Sequence, residues 1–84
     1  MPIAMGTEGF VVAHKTRFAV FTEIAAGESQ AERIAKKHRL VEPAVRMALK
    51  ELVEHGVLVQ RDGGYALTPE GERVAGEIRK GHMA

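Results

Sequence analysis

Residues 52–71 read LVEHGVLVQRDGGYALTPEG, and they place a helix end, a hairpin and a helix start in unbroken succession. Gly56 follows an amphipathic run and suits the position just past a helix C-terminus, where φ is positive and a Cβ is penalised. Two short β-prone pieces, Val57 to Gln60 and Tyr65 to Leu67, flank Arg61-Asp62-Gly63-Gly64. Asp-Gly and Gly-Gly are strong hairpin dipeptides, because tight hairpin turns need positive φ. Thr68-Pro69-Glu70 follows, with a capping hydroxyl, a proline at the first helical position and a carboxylate near the positive end of the helix dipole. The hairpin therefore hands straight into a helix.

Length and composition bound the rest. At 84 residues the chain is expected to be one domain, and a domain of this size buries only roughly 60% of its unfolded surface. Such a core leaves no room for a large enclosed active site. An apolar fraction of 45% with 27% charged residues is ordinary for a soluble globular domain. The absence of cysteine removes disulfides and thiolate metal sites and is compatible with a reducing compartment. No apolar run reaches the roughly 20 residues needed to span a bilayer. The start Met1-Pro2-Ile3-Ala4-Met5 lacks the charged and apolar regions of a secretory signal. A cytoplasmic location without membrane contact is expected. The net charge of +1 gives little support to nucleic-acid binding, but its distribution says more. Five of the twelve Lys and Arg residues are Arg33, Lys36, Lys37, Arg39 and Arg46, with Glu42 the one acid in that interval. A local basic face can exist on a nearly neutral domain.

Upstream of the hairpin the spacing predicts three helices. Residues 1–13 contain two glycines, no capping signal and one apolar patch, Phe10-Val11-Val12, and read as an arm that is partly ordered at best. From Lys15 to Ala26 the run KTRFAVFTEIAA puts Phe18, Phe21 and Ala25 on one face and Val20 and Ile24 on an adjoining one, and Gly27 ends it. Ser29-Gln30-Ala31-Glu32 has the form of a capping box. The helix it opens would turn Ala31, Ile34, Ala35 and His38 inward and Gln30, Arg33, Lys36 and Lys37 outward. After a tight turn at Arg39-Leu40-Val41, a further helix is expected from about Pro43 to His55, with Val45, Ala48, Leu49, Leu52 and Val53 facing the core. Glu42, Arg46, Met47, Lys50, Glu51 and Glu54 are then largely exposed. The last helix, Pro69 to about Lys80, is followed by a tail at residues 81–84. The domain proper is thus 14–80.

Two short helices joined by a tight turn, with small Ala35 at their crossing, make a helix-turn-helix. The pattern RIAKKHRL…AVRMALKELVEHGVL followed by GGYALTPEG resembles the winged helix-turn-helix domains of bacterial and archaeal transcriptional regulators, over Lys15 to about Lys80. The resemblance implies a mainly α fold with a small β-hairpin, an α+β domain with a three-helix core, a wing and a C-terminal helix. Two positions depart from the family's pattern. Val41 and Glu42 stand where a Ser, Thr or Asp cap is common, and Arg39 stands where many members carry Gly or Asn.

The resemblance also implies a partner, duplex DNA, and a role as a small transcriptional regulator. The helix at 43–55 would enter the major groove, with Ala44, Arg46, Met47 and Lys50 nearest base edges or flanking backbone and Glu42 at its entry. Arg46 is the best candidate for a bidentate guanine contact, and Glu42 can accept from a cytosine amino group. Lys36, Lys37 and Arg39 would meet phosphates and set register without specifying sequence. The wing, 57–67, would lie on the flanking backbone, with Arg61 at its tip. Against this, lysines on a helix are often a solvated face, and pairs at i,i+4 such as Glu42 with Arg46 or Lys50 with Glu54 also arise for helix stability. The family often dimerises through terminal helices, so a homodimer through 15–26 and 69–80 is expected.

The rival reading is a protein-interaction module of a transcription or RNA-processing assembly, for which exposed Met47 suits a protein groove. An enzyme is not expected. His14, His38, His55 and His82 show no metal-ligand spacing. Ser29 is the one serine, and no nucleophile, base and oxyanion donor assemble. No catalytic residue, metal site, cofactor or small-molecule ligand is expected.

Overall fold

The structure, a computed structural model describing residues 6–81, has the element order α1 (Thr7–Val12), α2 (Lys15–Ala25), α3 (Ala31–His38), α4 (Glu42–Glu54), β1 (Leu58–Arg61), β2 (Gly64–Leu67) and α5 (Pro69–Arg79). It is a mainly helical α+β domain with one small antiparallel sheet. Residues 1–5 of the expected arm and residues 82–84 of the expected tail, His82 among them, lie outside the described residues.

The hairpin forms where residues 57–67 place it. Leu58 lies opposite Leu67, and Arg61 opposite Gly64. The two-residue connection Asp62-Gly63 has φ of 52° and 79°, the doubly positive turn whose twist matches that of its strands. Leu58 is buried while Gln60 and Arg61 are exposed, so the strand begins in the core and ends in solvent.

Thr68 organises the exit into α5. Its hydroxyl accepts from the Gly71 N–H at 3.0 Å and donates to the Gly56 carbonyl at 2.6 Å. It thus closes one orphan donor of α5 and one acceptor at the end of α4 together. Thr68→Ala is expected to cost about 1–2 kcal/mol, the upper part of the range for losing a cap. The check is a lower urea midpoint with an unchanged slope; a loss below about 0.3 kcal/mol would mean that solvent replaces the hydroxyl.

α4 runs through the centre, with Val45, Leu49 and Leu52 fully buried. It packs against α2, α3 and β1. Val20 and Phe21 from α2, Ile34 from α3, Val57 and Leu58 from the hairpin side and Val74 from α5 complete the core. Gly56, at φ 84°, ends α4 as expected, and its neighbour's N–H bonds back from Val57 to the Leu52 carbonyl.

Several expectations require correction. Within the expected arm, Thr7–Val12 forms a helix, and its Val11 is completely buried. Six residues do not hold a helix by themselves; contacts from distant parts of the chain do. Phe10 stacks on the His55 ring at 3.9 Å with the planes 5° apart, and the Arg17 guanidinium lies 3.8 Å over the Phe10 ring centre. Arg17 Nε also donates to the Phe10 carbonyl at 3.0 Å, and Glu8 pairs with Arg73 at 3.2 Å.

The Ser29 capping box does not form. α3 begins at Ala31, and its cap residue Gln30 makes no side-chain capping bond. Ser29 is instead drawn to the hairpin, its carbonyl accepting from the Tyr65 N–H at 3.0 Å. The Glu28 carboxylate takes the N–H groups of Ser29 and Gln30 at 2.9 and 3.0 Å. Those two bonds hold the Glu28 carboxyl below the usual carboxylate range.

His38 is exposed and not inward, because its ring Nε2 reaches the Glu23 carboxylate of α2 at 2.9 Å. On α2 the buried face is Val20, Phe21 and Ile24, which leaves Phe18 and Ala25 on the exposed side. α4 starts and ends one residue earlier than expected, with Val41 as a cap residue that makes no side-chain bond. Glu51 is half-buried and bonded to Arg17 at 3.2 Å, and Val53 is half-buried at the edge of the core.

Candidate nucleic-acid interface

α4 buries Val45, Ala48, Leu49 and Leu52, so its helical period turns Pro43, Arg46, Met47, Lys50 and Glu54 to solvent, and all five are exposed. This outward stripe has two flanks. On one side a groove of about 310 Å³ between α4 and the hairpin is lined by Lys50, Val53, Glu54, Gln60 and Tyr65. On the other, Ala44 and Met47 line a smaller hollow of about 220 Å³ with Glu51, His14 and Thr16 at the start of α2. Gln60 Nε2 donates to the Tyr65 hydroxyl at 3.3 Å, which closes the hairpin side of the first groove.

Charge on this surface divides into free and committed groups. Arg46 is committed: Nε donates to Glu42 Oε2 at 2.7 Å, and Nη2 lies 2.6 Å from the same oxygen. Donating to the Glu42 carboxylate raises the guanidinium pKa above its ordinary value, with Glu32 and Tyr65 adding smaller through-space effects. Lys37 is also committed, its Nζ 3.2 Å from Glu23 Oε2. Glu23 is held below the usual carboxylate range, first by the hydrogen bond from His38 and then by Lys37, against partial burial.

Lys36, Arg39, Lys50 and Arg61 are exposed and make no ion pair among the described residues. Lys36 sits in the last turn of α3. Arg39 follows it with φ 56° and ψ 42°, a left-handed backbone that a residue with a Cβ adopts at a cost. Its neighbour Leu40 returns its N–H to the Ala35 carbonyl at 2.9 Å, so the turn into α4 is tight and the Arg39 side chain is thrown outward. Arg61 ends β1 at the hairpin tip beside Asp62. The Lys50 to Glu54 pair does not form, whereas Glu42 to Arg46 does.

The expected site residues thus fall into three places. Glu42, Ala44, Arg46, Met47 and Lys50 share α4, with Ala44 and Glu42 half-buried. Lys36, Lys37 and Arg39 lie at the end of α3 and in the turn before α4, and Arg61 stands on the hairpin. Sequence reasoning overlooks Val41, 69% exposed at the mouth of α4, and the pair Gln60 and Tyr65. The alternation of β1 and β2 carries the latter signal, because positions 60 and 65 face each other in register. Among the described residues no group of three His, Cys, Asp or Glu side chains could hold a metal ion, and no helix is long and apolar enough to cross a membrane. No family model matches the chain, and neither the curated proteins nor the solved structures contain a match to it.

Proposed function

We propose that this domain is a winged helix-turn-helix that binds duplex DNA as a small transcriptional regulator, with α4 in the major groove and the hairpin as a wing on the flanking backbone. One observation carries the reading. Four of the exposed cations that make no ion pair among the described residues, Lys36, Arg39, Lys50 and Arg61, are distributed over the α3 end, α4 and the hairpin tip, the three parts that such docking brings to the phosphates. Four phosphate contacts correspond to a slope of log K against log salt of about −3 to −4. A near-neutral monomer with that footprint binds weakly. The test is a titration with duplex DNA at low salt, followed through backbone amide signals. Shifts confined to residues 33–50 and the hairpin tip are expected; unchanged signals would sink the reading.

A protein-interaction role is the second reading, favoured by the large apolar side chains of Val41 and Met47, which are 69% and 56% exposed. It predicts a partner recovered by pull-down where duplex DNA causes no shift.

The proposed homodimer uses a different face. An open groove of about 300 Å³ between α2 and α5 is lined by Phe21, Ala25, Ala26, Ala75 and Ile78, and Phe18 is 37% exposed. A second copy covering this groove would double the phosphate contacts. Sedimentation is expected to give a mass near twice 9.2 kDa at high concentration; a monomer throughout would remove the dimer and leave the DNA contact standing.

A further inference from the structure

We propose that Glu42 is a positioning residue that aims Arg46 at a guanine, so that the pair makes the domain selective for a G·C base pair at one step of its duplex site. The proposal rests on the DNA-binding reading above and adds to it a division of labour between charges.

The geometry of the ion pair is the starting point. Both contacts, Nε at 2.7 Å and Nη2 at 2.6 Å, converge on one oxygen, Oε2 of Glu42. They occupy the side edge of the guanidinium. A guanidinium has five N–H donors in a rigid plane, so the end formed by Nη1 and the outer hydrogen of Nη2 is left with three. That end is the two-pronged fork that matches guanine O6 and N7 in the major groove.

An unrestrained arginine loses rotamer freedom when it docks. Here the carboxylate one helical turn earlier has already fixed the plane, and the pair stands on the exposed face of α4 with side chains 52% and 43% accessible. Glu42 Oε1 lies outside the pair, where it can accept from the N4 amino group of a cytosine in the same or the adjacent base pair. Guanine and cytosine edges therefore answer both ends of one preformed unit. An adenine in place of the guanine presents an amino group to the arginine fork, donor against donor.

The pair is also electrically neutral as a unit. It adds little to the attraction of phosphates, which falls to Lys36, Arg39, Lys50 and Arg61. Specificity and salt dependence should therefore separate by residue: Arg46 and Glu42 govern which duplex is preferred, and the four lone cations govern how steeply salt weakens all of them.

The experiment selects duplexes from a randomised pool with the full chain. It then measures affinity for the selected duplex and for one with its G·C pair changed to A·T, at two salt concentrations. Wild type is expected to discriminate by about 10- to 100-fold. Arg46→Lys, which cannot form the fork, should reduce this to a few-fold. Glu42→Gln should reduce discrimination by about threefold to tenfold; because it leaves the Arg46 charge uncancelled, it should also raise affinity for the A·T duplex and steepen the salt slope by up to about one. Replacing the guanine by 7-deazaguanine, which lacks the N7 acceptor, should weaken wild type and leave Arg46→Lys almost unaffected. Selection without a G·C preference, or full discrimination retained by Glu42→Gln at unchanged melting temperature, overturns the proposal while DNA binding stands. Failure of wild type to bind any duplex at low salt overturns the DNA reading itself.

Discussion

Gly71→Ala should destabilise the domain by about 2–3 kcal/mol, although helix propensity taken alone favours alanine over glycine by about 1 kcal/mol. Gly71 is buried in the first turn of α5, and a Cβ there would collide with the backbone carbonyl of Val57 and press on Leu67 Cδ2 at 3.3 Å. Neither neighbour yields easily. The Val57 carbonyl accepts from the Thr68 N–H at 3.1 Å, and the Gly71 N–H is tied to the Thr68 hydroxyl at 3.0 Å. Any shift that admits the methyl group thus strains the bonds joining hairpin and helix. The melting temperature should fall by roughly 10–20 °C, given about 4–8 °C per kcal/mol for a domain of this size. Gly76 supplies the control within the same helix. Its Cβ would meet nothing closer than Arg79 Nη2 at 3.8 Å, so Gly76→Ala should stabilise by up to about 1 kcal/mol. The same substitution in one helix should change sign with the space available. Two shifts of like sign would overturn the packing argument.

Double reversal of Arg46 and Lys50 to Glu should abolish the proposed duplex binding, with a loss of at least about 100-fold at low salt. Both side chains stand on the solvent stripe of α4. Reversal would place carboxylates at positions 42, 46, 50 and 54, a ladder at i,i+4 spacing facing the phosphates. The ladder itself weakens the helix, since like charges at that spacing repel by roughly 0.2–0.5 kcal/mol per pair. For that reason the neutral double variant, Arg46→Gln with Lys50→Gln, belongs beside it. It removes both cations without building the ladder and should lose about 10-fold. Far-ultraviolet dichroism reports whether either variant still folds. Folded variants that bind duplex DNA as wild type does would remove α4 from the proposed contact.

The parts of the fold legible beforehand are those decided by neighbours in sequence. Asp62-Gly63 takes two positive φ angles, and Thr68-Pro69-Glu70 offers a cap, a first-turn proline and a carboxylate together; both signals are complete within four residues. The α4 core face follows from its period. α1 was not legible, because Phe10 is held by Arg17 and His55 from elsewhere in the chain. Ser29 illustrates the same limit from the other side. Its local pattern favours a cap, yet pairing with Tyr65 from β2 claims its backbone first.

The candidate site divides along the same line. That Arg46, Met47 and Lys50 face outward follows from helical spacing, and the Glu42 pairing is visible as an i,i+4 relation. That Lys37 is engaged and Lys36 is not follows from the position of Glu23 on α2, which only the packed helices determine. The outward turn of His38 has the same origin, since Glu23 draws its ring out of the interior.

The Glu8 to Arg73 contact has a consequence for how the chain is made. It joins residues 65 positions apart and helps seat α1 against α5. A ribosome delivers α1 first and α5 last. During translation α1 therefore emerges without the surface it rests on, and six residues cannot stay helical while they wait. Phe10 can dock once Arg17 and His55 are out of the exit tunnel, whereas the Glu8 contact waits for Arg73. Of the ion pairs among the described residues, the one that starts in α1 thus closes late.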